Sequence, residues 1–261
     1  MATNPQRRSS SEGDRTARSL PPLSYAGLWQ SPPPMWLEGR IATEYVSLIR
    51  DPVFRGEGVA RGRGRAVLLI PGFLAGDWSL MTLHGWLRRV GYHPELPGFR
   101  LNVDYSEMLL ERLGSRLQSA KRESGKRVAI VGHSRGGILA KVLADRHPEL
   151  VSRVVTLGSP LGDPFEIHPV TMAGVRAAHL YNVIRHWRGA EVEGDFLTAL
   201  AAPPRVPVTS IYSRTDGVVS WKACVRPDLS SAEVRGSHVG LAVNPDVYRL
   251  LAKLLVSEGS A

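Results

Sequence analysis

Three residues of the 261-residue chain have the types and surroundings for nucleophilic chemistry: Ser134, Asp216 and His238. Ser134 is the centre of Gly132-His133-Ser134-Arg135-Gly136-Gly137, directly after the apolar run Val128-Ala129-Ile130-Val131. That order predicts a strand, a sharp turn and a helix, with the serine at the apex. An apex residue is forced into a strained backbone conformation. Glycines two residues to either side leave room for the opposite arm of the turn. The strain lifts the hydroxyl above the end of the sheet, over the N-terminus of the next helix.

A serine hydroxyl is a poor nucleophile near neutral pH, so it needs a base, and the base needs an orienting acid. Asp216 lies in Ser213-Arg214-Thr215-Asp216-Gly217, just past an apolar run ending at Tyr212. His238 lies in Arg235-Gly236-Ser237-His238-Val239, just past Glu233-Val234-Arg235. The chain order Ser, Asp, His is the one expected when the serine sits on a strand-turn-helix elbow. Acyl transfer also develops negative charge on the former carbonyl oxygen, which requires donors. The backbone N–H of Arg135 is one candidate. Pro71-Gly72-Phe73-Leu74 offers the second, the N–H of Phe73 or of its neighbour Leu74. His133 adjoins the serine but is expected to point the opposite way along the strand end and to pack or hydrogen-bond there. The chain has no His-Glu-x-x-His, no cysteine pair and no carboxylate cluster, so no metal site is expected. The single cysteine, Cys224, reads as a packing residue.

The elements that would position these residues follow from periodicity. Short apolar runs at 66–70, 128–131, 151–157 and 206–212 alternate with amphipathic stretches at 78–90, 108–124, 134–147 and 245–256. A weak strand pattern covers 93–101. Strands alternating with helices imply right-handed crossovers and a mostly parallel sheet covered on both faces, an α/β fold. Sites in such sheets form beyond the carboxyl ends of the strands, where the loops after residues 70, 131, 212 and 235 fall.

Residues 1–20 are polar and predict a flexible tail. Residues 21–65, with Pro21-Pro22 and Pro32-Pro33-Pro34, predict an extension that packs on the domain. Within it Ile41, Tyr45, Val46, Leu48 and Ile49 have helical spacing, stopped by Asp51-Pro52. The main domain is expected over 66–261. Hydrophobic residues make up 43% and charged residues 22% of the chain, ordinary values for a globular domain. Net charge is +9, with 28 arginines and 5 lysines. The basic residues are scattered, without the runs or aromatic platforms of a nucleic-acid binder, which argues against that class. They are compatible with peripheral contact with an anionic membrane surface. One cysteine, no apolar leader segment and no apolar run near the roughly 20 residues of a membrane span predict a cytoplasmic protein with no transmembrane segment.

These residues resemble the α/β-hydrolase superfamily, and within it the small serine esterases and lipases. The resemblance rests on Pro71-Gly72-Phe73, Gly132-His133-Ser134-Arg135-Gly136-Gly137, Leu157-Gly158-Ser159-Pro160, Asp216-Gly217-Val218-Val219 and Ser237-His238-Val239-Gly240-Leu241. It implies the α/β-hydrolase fold, a Ser134 acyl-enzyme, His238 as base and then acid, and Asp216 as orienter. It also implies an oxyanion hole from the N–H groups of Phe73 and Arg135, no cofactor, and a small-molecule carboxylic ester as substrate. Pro71-Gly72 replaces the His-Gly of many lipases, and Leu161-Gly162-Asp163 replaces their His-x-Gly, a departure from the triglyceride-lipase pattern. An insertion at 160–206 is where such enzymes often carry a cap. Met172, Val175, Leu180, Val183, Ile184 and Trp187 would give it one apolar side favouring an apolar acyl group, with Arg176, Arg185 and Arg188 on the rest. An ordinary crossover helix would carry the same pattern. An acyltransferase using the same three residues, and a non-catalytic binding protein on this fold, are the competing readings.

Overall fold

The structure is a computed structural model that describes residues 35–186 and 191–256. The expected tail, the prolines at 21–34, Trp187, Arg188 and the side chain of Arg185 lie outside the described residues.

A 3-10 helix over Met35–Arg40 leads into α1 (Ile41–Arg50) and the single turn α2 (Pro52–Arg55). The break between them is the expected one: Asp51 accepts the Val53 N–H at 2.9 Å, and Pro52 occupies the first helical position. There follow β1 (Ala66–Ile70), α3 (Met81–Arg89), β2 (His93–Glu95), α4 (Ser106–Ser124), β3 (Val128–His133), α5 (Arg135–Arg146) and β4 (Val151–Leu157). The chain then runs through α6 (Pro169–His186), α7 (Glu191–Ala201), β5 (Val208–Ser213), β6 (Ser230–Val234) and α8 (Pro245–Leu254).

The strands form a six-stranded sheet in the order β2-β1-β3-β4-β5-β6, and every pairing is parallel. Alternation sorts β1 between two cores. Ala66, Leu68 and Ile70 face α4, α5 and α7, whose Leu109, Leu139 and Phe196 share that cluster. Val67 and Leu69 face α3 and α8, with Trp86, Tyr248 and Leu48 of α1. Both faces are dry, which is why β1 and most of β3 read as unbroken apolar runs. β3 continues two residues past its apolar run because Gly132 and His133 pair with Thr156 and Leu157 of β4.

The weak strand pattern at 93–101 yields only β2. Pro94 and Pro97 have no N–H to donate to a ladder. The Asp77 carboxylate takes the N–H groups of Gly98 (2.9 Å) and Phe99 (3.0 Å), turning the rest into a loop. α1 also differs from its pattern. Its spaced apolar residues Ile41, Tyr45, Val46 and Ile49 are exposed, while Leu48 is buried and Glu44 faces inward.

The 160–206 stretch holds two helices that pack differently. α7 is the crossover, burying Phe196 and Leu200 against α4 and α5. Its last carbonyls, orphaned as in any helix, are met by side chains. The fully buried Lys141 donates to Ala199 and Ala202 O at 2.6 Å, and Arg226 to Leu200 O at 2.8 Å. α6 instead lies over loops at the strand ends. Gly174 abuts the Phe73 ring, Asn182 donates to Val103 O at 2.7 Å, and His179 meets Tyr105 edge-on. Met172 is buried, but Leu180 and Ile184 are exposed, so α6 does not bury a single apolar side. No helix among the described residues is long and apolar enough to cross a membrane.

Candidate active site

Because all strands run one way, the loops after β1, β3, β5 and β6 open on one edge of the sheet. Ser134, between β3 and α5, has φ 53° and ψ −123°, a backbone conformation that a non-glycine residue rarely adopts. What holds it there is close packing of glycine backbone. A Cβ on Gly132 would overlap Gly136 and Gly137, the opposite arm of the turn, as expected. A Cβ on Gly136 would overlap the carbonyls of Ile70 and Pro71, so that glycine is needed by the neighbouring strand rather than by the turn itself. A Cβ on Gly137 would overlap Ser159.

Asp216 and His238 meet as a buried pair, with Asp216 Oδ2 2.7 Å from His238 Nδ1. The other carboxylate oxygen of Asp216 accepts the N–H groups of Val218 and Val219, both at 2.8 Å. This pair stands against the chain beside Ser134. The Ser134 N–H donates to Leu157 O (2.8 Å). A Cβ on the next residue, Gly158, would sit 3.0 Å from Asp216 Oδ2 and 3.1 Å from His238 Nδ1. Gly158 has φ 57°, so a side chain there is barred both by conformation and by space. Burial pushes the His238 pKa down, but the charge and hydrogen bond of Asp216, with the charge of Glu38, more than reverse this and leave it raised.

His133 packs and hydrogen-bonds as expected, but onto the base: its ring lies tilted by 43° against that of His238, centroids 4.9 Å apart, and its Nε2 lies 2.9 Å from His238 O. A carbonyl only accepts, so Nε2 carries the proton. Burial first, and then the nearness of His238, lower the His133 pKa to about 4, so the ring is neutral near pH 7.

The loop after β1 is a turn in which the Ala75 N–H donates to Gly72 O at 3.2 Å. The Leu74 N–H is taken by Asn102 O at 3.3 Å, whereas that of Phe73 has no acceptor among the described residues. Of the two candidates in this loop, Phe73 is therefore the one with a donor to offer. Arg135 is the first residue of α5, where N–H groups lie outside the helical ladder. Its guanidinium reaches the other way, to Asn102 Oδ1 at 3.1 Å and Asp104 O at 2.7 Å. Asn102, fully buried, closes the brace by donating its side-chain N–H to Pro71 O and its backbone N–H to Ala75 O, both at 2.8 Å.

Asn102 escaped the sequence reading, and so did Glu38 and Glu44. Glu38 Oε1 accepts the N–H groups of Gly217 and His238, both at 2.9 Å, and Oε2 that of Val239 at 3.0 Å. Glu44 accepts the Ser237 N–H at 2.7 Å and hydroxyl at 2.5 Å. These partners lie 200 and 193 residues apart in the chain, and no local pattern links them. Cys224 is buried, and burial, followed by the charges of Asp216 and Glu166, pushes its thiol pKa well up, which fits a packing role. Among the described residues, the only group with metal-ligand chemistry is His93, Glu95 and Glu123, at β2 and the end of α4. Its His93 and Glu95 already pair at 3.1 Å.

The parallel sheet, the elbow and the helices on both faces define the α/β-hydrolase fold, which gives its name to a superfamily. Within that superfamily the chain belongs to an esterase family, described as "Putative esterase", whose sequence profile matches residues 80–217, more than half of its length. No curated protein matches it by sequence. The fold is shared with the monoacylglycerol lipase of Paleococcus ferrophilus (TM-score 0.54, 15% identity, 77% of this chain and 97% of that one). It is shared likewise with a soluble variant of Saccharomyces cerevisiae monoglyceride lipase (0.53, 16%, 79% and 90%). A third such structure is Bacillus licheniformis lipase BlEst2 in mature form (0.54, 14%, 78% and 96%).

Proposed function

We propose that this member of the esterase family cleaves carboxylic esters through a covalent acyl-enzyme on Ser134. The observation that carries the reading is the buried Asp216–His238 pair packed against the chain that flanks the strained Ser134 turn. Asp216 holds the Nδ1 proton of His238, which leaves Nε2 free of its proton and able to act as base. His238 takes the proton from Ser134 Oγ as that oxygen bonds to the ester carbonyl carbon. The oxyanion is received by the N–H groups of Phe73 and Arg135, whose loops Asn102 ties together. Collapse breaks the C–O bond, and His238 returns its proton to the leaving alcohol. Water then attacks the acyl-enzyme, giving its proton to His238, and the acid departs as Ser134 recovers the proton.

In this reading α6 is the cap of the 160–206 insertion. The segment ahead of it is tied to the acid loop, with the His168 N–H on Val218 O at 2.7 Å, and its body rests on Phe73 and Val103. The cap thus bridges the loops around Ser134, which favours an ester with an apolar acyl group. Two of the fold neighbours are monoacylglycerol lipases, which makes monoacyl esters of graded chain length the natural panel.

The test is labelling with a fluorophosphonate, which reacts with an activated serine. The wild-type protein should be labelled at one site and Ser134→Ala should not be. Label that survives in Ser134→Ala would remove the serine from its role. Products analysed with an added alcohol acceptor separate hydrolysis from acyl transfer.

A further inference from the structure

The carboxylates of Glu38 and Glu44 reach the His238 loop from a segment that precedes the first strand of the sheet. Three backbone N–H groups, those of Gly217, His238 and Val239, converge on Glu38 alone. Gly217 follows Asp216, so one carboxylate bridges the loop that carries the acid to the loop that carries the base. The three donors lie outside the strands, with no ladder partner. A carboxylate, acceptor-only and charged, binds such a group more strongly than a neutral side chain could.

Glu44 grips the same loop one residue earlier, at Ser237. Gly240 is a glycine because a Cβ there would overlap the Glu44 carboxylate. On the inner side a separate staple joins the two loops, with Ser213 Oγ donating to Gly236 O at 2.7 Å. That staple springs from the end of β5, whereas Glu38 and Glu44 come from the segment ahead of β1.

We propose that Glu38 is a positioning residue for His238, fixing the base against Asp216 from the segment that precedes the first strand, and that residues 35–50 are an integral part of the site. This rests on His238 being the base, as argued above. The charged and titratable groups facing His238 are Asp216 from the loop after β5, His133 from the end of β3, and Glu38 and Glu44 from the N-terminal segment. Arg40 lies on the outer side of the acid loop at Thr215. The negative charge of Glu38 favours the protonated imidazole, so its removal makes His238 less basic.

The experiment is the pH dependence of ester hydrolysis by the full chain, with rates normalised to fluorophosphonate-labelled sites so that only assembled protein is counted. In Glu38→Gln, an amide N–H faces backbone N–H groups where an oxygen stood. kcat/KM should fall about tenfold, and the acid limb of its pH profile should move to lower pH. Glu38→Asp keeps the charge at shorter reach, so it should lose rate while holding its midpoint near the wild-type value. Glu44→Gln should shift the midpoint less than Glu38→Gln does. Should Glu38→Gln not fold, the Glu38→Asp profile decides: a wild-type rate would refute the positioning role. A Glu38→Gln enzyme with wild-type rate and midpoint, or midpoints that move equally in the Glu38→Gln and Glu44→Gln enzymes, would overturn the proposal while leaving the ester-hydrolase reading standing. A wild-type protein that is neither labelled nor active would instead overturn that reading and this proposal with it.

Discussion

The two sides of the site are held in different ways. On the Ser134 side the restraint is steric, with Gly132, Gly136 and Gly137 packed where a Cβ would overlap backbone or Ser159 and the apex forced to φ 53°. On the Asp216–His238 side it is polar, with Glu38, Glu44, Ser213 and Asn244 pinning loops that contain little regular structure. Close-packed backbone tolerates almost no displacement, and a strained turn costs on the order of 1–3 kcal/mol that the surrounding fold must offset. Hydrogen-bonded loops can shift at lower cost. The nucleophile is thus built into the rigid sheet, while the base stands on loops whose geometry is set by side chains of the N-terminal segment.

That contrast can be broken at each side. The largest effect is expected from His238→Ala, which removes the base and leaves the glycine packing of the elbow in place. Ester turnover should fall by about four to six orders of magnitude, as for other losses of a triad histidine, with an unchanged circular dichroism spectrum. A near-normal rate would dismiss His238 as the base. On the steric side, Gly136→Ala forces a methyl group onto the carbonyls of Ile70 and Pro71. A loss of at least about 3 kcal/mol is expected, read as a lowered denaturant midpoint. A drop well under 1 kcal/mol would mean that the turn is not sterically locked.

The seam between the two sides is the pair of contacting histidines, His133 and His238, which should show opposite responses to pH. His238 has a raised pKa, so the stability it contributes when charged is present below its unfolded pKa and is lost as pH rises through its folded one. His133, held at about 4, is neutral in the fold but protonates in the unfolded chain below its ordinary 6.5. Its share of stability is complete above 6.5 and is lost as pH falls towards 4, at no more than about 1.4 kcal/mol per pH unit. His133→Gln is accordingly expected to flatten the decline in thermal stability between pH 6.5 and 4. An identical decline in both proteins would show that the buried ring is not its source.

The steric side could be read from the chain because its restraints are local. The apolar run, the apex serine and its glycines lie within ten consecutive residues, and backbone sterics act over that range. Asp216 and His238 were legible for a related reason: each directly follows a strand, and a parallel sheet delivers all such positions to one edge. Strand edges were less legible where prolines and the Asp77 side chain compete with the ladder, as between Leu96 and Leu101. That His133 packs and hydrogen-bonds was legible, but its partner was not, because the carbonyl of His238 lies 105 residues away.

α1 shows the limit most clearly. Its apolar residues have helical spacing, which correctly implied a helix but not the face it buries. Ile41, Tyr45 and Ile49 are exposed, and the inward position belongs to the polar Glu44, because two buried donors on Ser237 require an acceptor there. The sequence by itself determined the alternating α/β architecture, the elbow at Ser134 and the order of the three candidate residues, since these depend on periodicity and local backbone conformation. Only the tertiary structure decided that Asn102 braces the loop at Phe73 and that two glutamates from the N-terminal segment hold the His238 loop. Hydrogen bonds between distant segments leave no periodic trace, and their partners are chosen only once the chain has brought them within about 3 Å of each other.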